Sequence, residues 1–126
     1  MTTRRVLVVD DDARVRAALR ELLASTSDLG PAASAGSAAE AQDAEQRHGP
    51  FDLAVVDVLL PDPATGLALI RGLVQRLPVV AVSVSSAHRS AALAAGATAF
   101  LDKDGRPDLL LAVLRAVGHA GHAASR

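Results

Sequence analysis

The sequence predicts an α/β domain, a parallel sheet with helices packed on both of its faces. Three observations carry that expectation. Short aliphatic runs recur along the chain, as strands buried on both faces require. Between them lie segments with apolar residues at helical spacing. Turn residues, among them Gly30-Pro31, Gly49-Pro50 and Pro78, punctuate the alternation. A length of 126 residues fits one domain.

Val6-Leu7-Val8-Val9 reads as the first strand, and Asp12 caps the helix that follows. Val15, Leu19, Leu22 and Leu23 recur at i, i+4, i+7 and i+8 on one face of that helix. Gly30-Pro31 breaks the chain, and Ala32 to Ala35 is a weaker second strand. Ser37 with Glu40 forms a capping box that opens an Ala-rich helix to about Arg47. Leu53 to Val56 is the third strand. A turn-rich loop from Leu60 to Gly66 leads to a third helix, with Ile70, Leu73, Val74 and Leu77 on its face. Val79 to Val82 is the fourth strand, and Ala87 to Ala95 a short helix stopped by Gly96. Ala99-Phe100-Leu101 is the fifth strand. Pro107 fits the first turn of a last helix faced by Leu110, Val113, Leu114 and Val117. The domain is expected to span residues 1–118, with 119–126 a flexible tail or the start of a linker.

Composition narrows the function classes. Only Phe51 and Phe100 are aromatic, so the core relies on aliphatic packing. Thirteen basic residues against 14 acidic ones give a net charge of -1, without the basic excess of a nucleic-acid or membrane-surface binder. The absence of cysteine excludes disulfides, thiolate metal sites and a Cys nucleophile. Val6 to Val9 is too short for a secretory h-region or a bilayer span, so a cytoplasmic protein without membrane contact is expected. Neither G-x-x-x-x-G-K-[ST] nor G-x-G-x-x-G occurs, which disfavours nucleotide enzymes.

In parallel α/β sheets the ligand site lies outside the carboxyl ends of the strands. Asp10, Asp11 and Asp12 follow the first strand, and Asp57 follows the third. Ser83 and Ser85 follow the fourth, and Lys103, flanked by Asp102 and Asp104, follows the fifth. Clustered carboxylates repel unless a cation joins them. Mg²⁺ takes oxygen ligands, commonly one or two carboxylates and a phosphate. The set fits phosphoryl transfer: Asp57 as nucleophile, Lys103 on a phosphoryl oxygen and Ser83 as hydrogen-bond donor. Each residue alone has a plainer reading. Asp12 is only a cap, Lys103 a solvated lysine paired with a neighbouring aspartate, and Phe100 a core residue. His88 lies near the site edge, where it can tune access, while His119 and His122 read as exposed tail residues.

The strings Val-Leu-Val-Val-Asp10-Asp11-Asp12, Asp52-Leu-Ala-Val-Val-Asp57-Val-Leu-Leu-Pro61, Val-Ser83-Val-Ser85 and Gly96-Ala-Thr-Ala-Phe100-Leu-Asp-Lys103 resemble the receiver domain of two-component response regulators. The resemblance covers roughly Arg5 to Val117 and is strongest to the LuxR/NarL type. It implies a flavodoxin-like (βα)5 doubly wound sheet in the order 2-1-3-4-5. It implies Asp57 as phosphoacceptor, with Mg²⁺ held by Asp10, Asp11, Asp57 and the backbone carbonyl of Leu59. Ser83 and Phe100 match the switch residues and Lys103 the family's lysine. It further implies a sensor histidine kinase as partner, and a homodimer through the fourth helix, fifth strand and fifth helix. The chain would be the receiver part of a transcriptional regulator, binding no nucleic acid itself.

Two other readings compete. One is a stand-alone or phosphorylation-independent module that keeps the fold for protein interaction. The other is a phosphatase with an Asp nucleophile. It is disfavoured because Leu59 stands two residues after Asp57, where the haloacid-dehalogenase pattern needs an aspartate. At most, self-phosphorylation and autodephosphorylation are expected. The Asp57–Gly66 loop is one residue longer than the family's usual pattern, so the entry to the third helix is expected to differ.

Overall fold

The computed structural model describes residues 3–104 and 106–124. Five strands, β1 (Arg4–Val9), β2 (Leu29–Ala35), β3 (Leu53–Asp57), β4 (Val79–Ser83) and β5 (Ala99–Asp102), alternate with five helices. These are α1 (Ala13–Ala24), α2 (Ala38–His48), α3 (Pro63–Leu73), α4 (Arg89–Ala94) and α5 (Pro107–Ala124), with one 3₁₀ turn, Ser86–His88, leading into α4. All strand pairs are parallel, in the order β2-β1-β3-β4-β5. This is the flavodoxin-like order that the resemblance implied.

The helices start where the sequence supplies caps. Asp12 accepts from the Arg14 N–H at 2.9 Å, and Ser37 accepts from the Glu40 N–H at 3.1 Å. The return arm of the capping box lands one residue further out than usual, where the Gly36 N–H donates to Glu40 Oε1 at 2.7 Å. At α3 the cap is Asp62, which accepts from Thr65, and Pro63 occupies the first turn.

Several element limits differ from the sequence reading. β2 begins at Leu29 and runs through Gly30-Pro31 rather than starting after them. It is an edge strand, where the missing proline N–H is tolerated, and the register slips between Val6 and Leu7 opposite Pro31. α3 starts at Pro63, inside the segment read as loop, and ends at Leu73, so Leu77 reaches the core from a turn. α5 runs on to Ala124. Ala120, Ala123 and Ala124 favour that continuation. Residues 125 and 126, and the side chains of His119 and His122, lie outside the described residues.

Alternation along the strands divides the interior into two layers. Leu7, Val9, Ala54, Val56, Ala81 and Phe100 face α2, α3 and α4. Val6, Val8, Leu53, Val55, Val80 and Val82 face α1 and α5. Period-2 alternation with apolar residues on both faces is what a doubly covered sheet needs. α4 is the least anchored helix. Its one large apolar side chain, Leu93, is 39% exposed, and Ala92 with the C-cap residue Ala95 faces the interior. Each buried methyl contributes about 0.8 kcal/mol, against about 1.5–3 kcal/mol for a full Leu.

Candidate functional site

The strand ends deliver three charged side chains to one edge of the sheet. Asp10 follows β1, where its N–H continues the ladder to the Ala35 carbonyl at 3.0 Å. Asp57 closes β3, and the next N–H, that of Val58, donates to Val82 at 2.9 Å. Lys103 follows β5, and its N–H donates to the Ser83 carbonyl at 2.8 Å. Backbone pairing therefore fixes the spacing of these side chains before any of them interact.

The side chains then converge. Lys103 Nζ lies 2.7 Å from Asp10 Oδ2 and 3.2 Å from Asp57 Oδ2. Asp10 Oδ1 accepts from the Asp12 N–H at 2.9 Å, and Asp57 Oδ1 accepts from the Leu59 N–H at 3.0 Å. Asp10 and Asp57 are buried, whereas Asp11 is exposed. One carboxylate oxygen from each of Asp10, Asp11 and Asp57 lies within 4.8 Å of the other two.

Charge at the site is unbalanced. Three carboxylates meet one ammonium within hydrogen-bond reach of two of them. Burial pushes the Asp57 carboxyl above its ordinary value, and Asp10 adds to that; the Leu59 N–H and Lys103 pull the other way without cancelling it. Burial also opposes the charge on Lys103, but the Asp10 hydrogen bond and the two carboxylate fields outweigh it, and its pKa ends raised. A hard cation would relieve the remaining repulsion. The converging donors are all carboxylate oxygens, two buried and one open to solvent, and that set fits Mg²⁺.

Ser83 and Phe100 sit beside the cluster but are not part of it. Ser83 is fully buried; its Oγ lies 2.9 Å from His88 Nδ1 and accepts from the Ser85 N–H at 3.3 Å. Phe100 is buried in the α3–α4 layer, with the Arg89 guanidinium 5.9 Å from its ring centre. Sequence reasoning missed two contacts. The link from His88 to Ser83 had no signal, because five residues across a turn follow no strand or helix period. Arg16 reaches the Asp10 carbonyl at 2.7 Å, close to where Gly36 leaves room for it.

Gly66 decides how closely the β3–α3 loop packs. A Cβ there would stand 1.8 Å from the Val58 carbonyl oxygen. The first turn of α3 therefore presses directly onto the backbone next to Asp57. α3 starts at Pro63, which places Gly66 inside the helix.

Comparison with known proteins gives a consistent likeness. The response regulator receiver domain family matches residues 6–115. The DNA-binding transcriptional activator DevR/DosR of Mycobacterium tuberculosis is 36% identical over 105 residues, 79% of this chain and 48% of that protein. The transcriptional activator protein ExaE of Pseudomonas putida is 37% identical, over 94% of this chain and 56% of that protein. The chain thus spans about half the length of the curated relatives it matches. Among solved structures, a LuxR-family two-component response regulator from Aurantimonas sp. SI85-9A1 superposes with a TM-score of 0.83 at 27% identity, covering 94% of this chain and 87% of that one. A response regulator receiver protein from Burkholderia phymatum gives 0.80 at 32% identity, covering 93% and 96%. Among the described residues, no helix is long and apolar enough to cross a membrane.

Proposed function

The chain belongs to the response regulator receiver domain family, and on that premise we propose that it is a switch phosphorylated on Asp57 by a sensor histidine kinase. The observation that carries this reading is the buried Asp57 carboxylate, held by Lys103 inside a three-carboxylate cluster. Receiver domains are signalling switches rather than enzymes acting on an external substrate. Self-phosphorylation and autodephosphorylation are the reactions expected of this one.

In the reaction, a carboxylate oxygen of Asp57 attacks the phosphorus of a phosphohistidine. The P–N bond breaks, and the kinase imidazole leaves with the bonding pair. Asp10, Asp11, Asp57 and the Leu59 carbonyl would hold Mg²⁺, which when bound neutralises charge on the phosphoryl oxygens. Lys103 Nζ lies within 3.2 Å of both buried carboxylates, so it supplies positive charge where the phosphoryl group arrives. Ser83 then donates its hydroxyl proton to a phosphoryl oxygen, and Phe100 repacks behind it. The output surface is α4, β5 and α5, which carries the exposed Leu93 and Leu109. We assign that surface to homodimer formation.

The transcriptional activators that resemble the chain support a place as the receiver part of a cytoplasmic transcriptional regulator. The chain itself would contact no nucleic acid. Incubation with radiolabelled acetyl phosphate and Mg²⁺ tests the assignment. Wild type should take up label that Asp57→Asn does not, and equal labelling of the two would refute it.

A further inference from the structure

His88 and Arg89 are neighbours at the start of α4, and each holds one of the two switch residues. His88 meets Ser83 at 2.9 Å, and Arg89 lies over the Phe100 ring. The first of these contacts has a defined polarity. Ser83 is fully buried, and its Oγ already accepts from the Ser85 N–H. If the imidazole also donated to Oγ, the hydroxyl proton would be buried without an acceptor, which is costly. The arrangement that satisfies every group has the Ser83 hydroxyl donating to His88 Nδ1, with the other ring nitrogen carrying the proton.

We infer that His88 is a positioning residue that holds the Ser83 hydroxyl away from Asp57 and ties that restraint to the first turn of α4. The inference rests on the phosphoryl-switch reading above. A serine hydroxyl has one proton. While it is given to His88, it is not available to a phosphoryl oxygen on Asp57. Turning Ser83 towards the phosphoryl group breaks the bond to His88 and frees the start of α4. Beyond the Arg89 contact with Phe100, the helix buries Ala92 and its C-cap residue Ala95. The chemistry at the strand ends is thereby linked to the helix that presents Leu93, through a contact five residues long in sequence.

Beryllofluoride with Mg²⁺, a phosphoryl mimic, provides the test on the full chain, with affinity read by fluorine NMR titration. His88→Leu removes the acceptor, so beryllofluoride should bind about threefold to tenfold more tightly. His88→Asn places an amide oxygen near the Nδ1 position and should bind as wild type does. In a Ser83→Ala background, His88→Leu should change nothing, because the bond it removes is already gone. Equal affinity in wild type and His88→Leu overturns the inference. So does an equal shift in Leu and Asn variants, or a shift that persists with Ser83→Ala. If wild type fails to bind beryllofluoride at all, the phosphoryl-switch reading itself fails, an outcome distinct from each of these.

Discussion

The two ends of the sheet treat charge in opposite ways. At the amino ends of the strands, cations and anions are matched and exposed. Arg115 makes a bidentate pair with Asp28 while Arg4 donates to the Arg115 carbonyl, and Arg76 makes a bidentate pair with Glu45. The Arg5 N–H donates to Asp52, and its guanidinium lies over Phe51. At the carboxyl ends, Asp10, Asp11 and Asp57 meet only Lys103, and two of the three are buried. Matched exposed pairs tie loops to strands and contribute little each. An unmatched, desolvated cluster costs stability unless a ligand completes it. The difference separates charge used for architecture from charge used for chemistry.

Substitutions at the two ends should therefore differ in kind. The largest effect is expected for Asp57→Asn, with complete loss of labelling and no loss of fold. Gly66→Ala comes next, because its methyl would collide with the Val58 carbonyl. Urea denaturation should show a loss of about 2–3 kcal/mol, and Mg²⁺ binding should weaken as the loop beside Asp57 shifts. A pH series gives a smaller but more telling signal. Because burial raises the Asp57 carboxyl in the folded state, ionising it opposes folding. Wild-type stability contributed by this group should then fall as pH rises above the unfolded value of 3.8 and through the raised one. Asp57→Asn removes that term, so the stability difference from wild type should move in the variant's favour as pH rises from about 4. A constant difference would remove the case for a charge deficit at this end. At the opposite end, Arg76→Ala should cost only about 0.5 kcal/mol by urea denaturation, shrinking further in high salt. A loss of several kcal/mol there would collapse the distinction.

Legibility in the sequence followed the range of the interactions. The strands, their buried character and the convergence of Asp10, Asp57 and Lys103 could be read because strand ends in a parallel sheet share one edge. Caps at Asp12 and Ser37 were legible because capping acts over two or three residues. Pro31 misled: a proline inside a strand is tolerated only at an edge, and the strand order that made β2 an edge came from the family resemblance rather than from local pattern. Leu93 shows another limit. Size alone would make it the anchor of α4, but rotation about a six-residue helix is set by its neighbours, and Ala92 takes the inward position. The contact from Ser83 to His88 depends on the path of a 3₁₀ turn, which leaves no periodic trace.

The two small side chains beneath α4 have a consequence for how this domain moves when nothing is bound. A segment held by so little apolar contact opens locally at a small fraction of the free energy needed to unfold the sheet. Its backbone amides should exchange with solvent ahead of those of β1 and β3, whose side chains lie at or near complete burial. α4, one element of the proposed output surface, is thus loosely tethered, and its alternative positions are within thermal reach before any signal arrives.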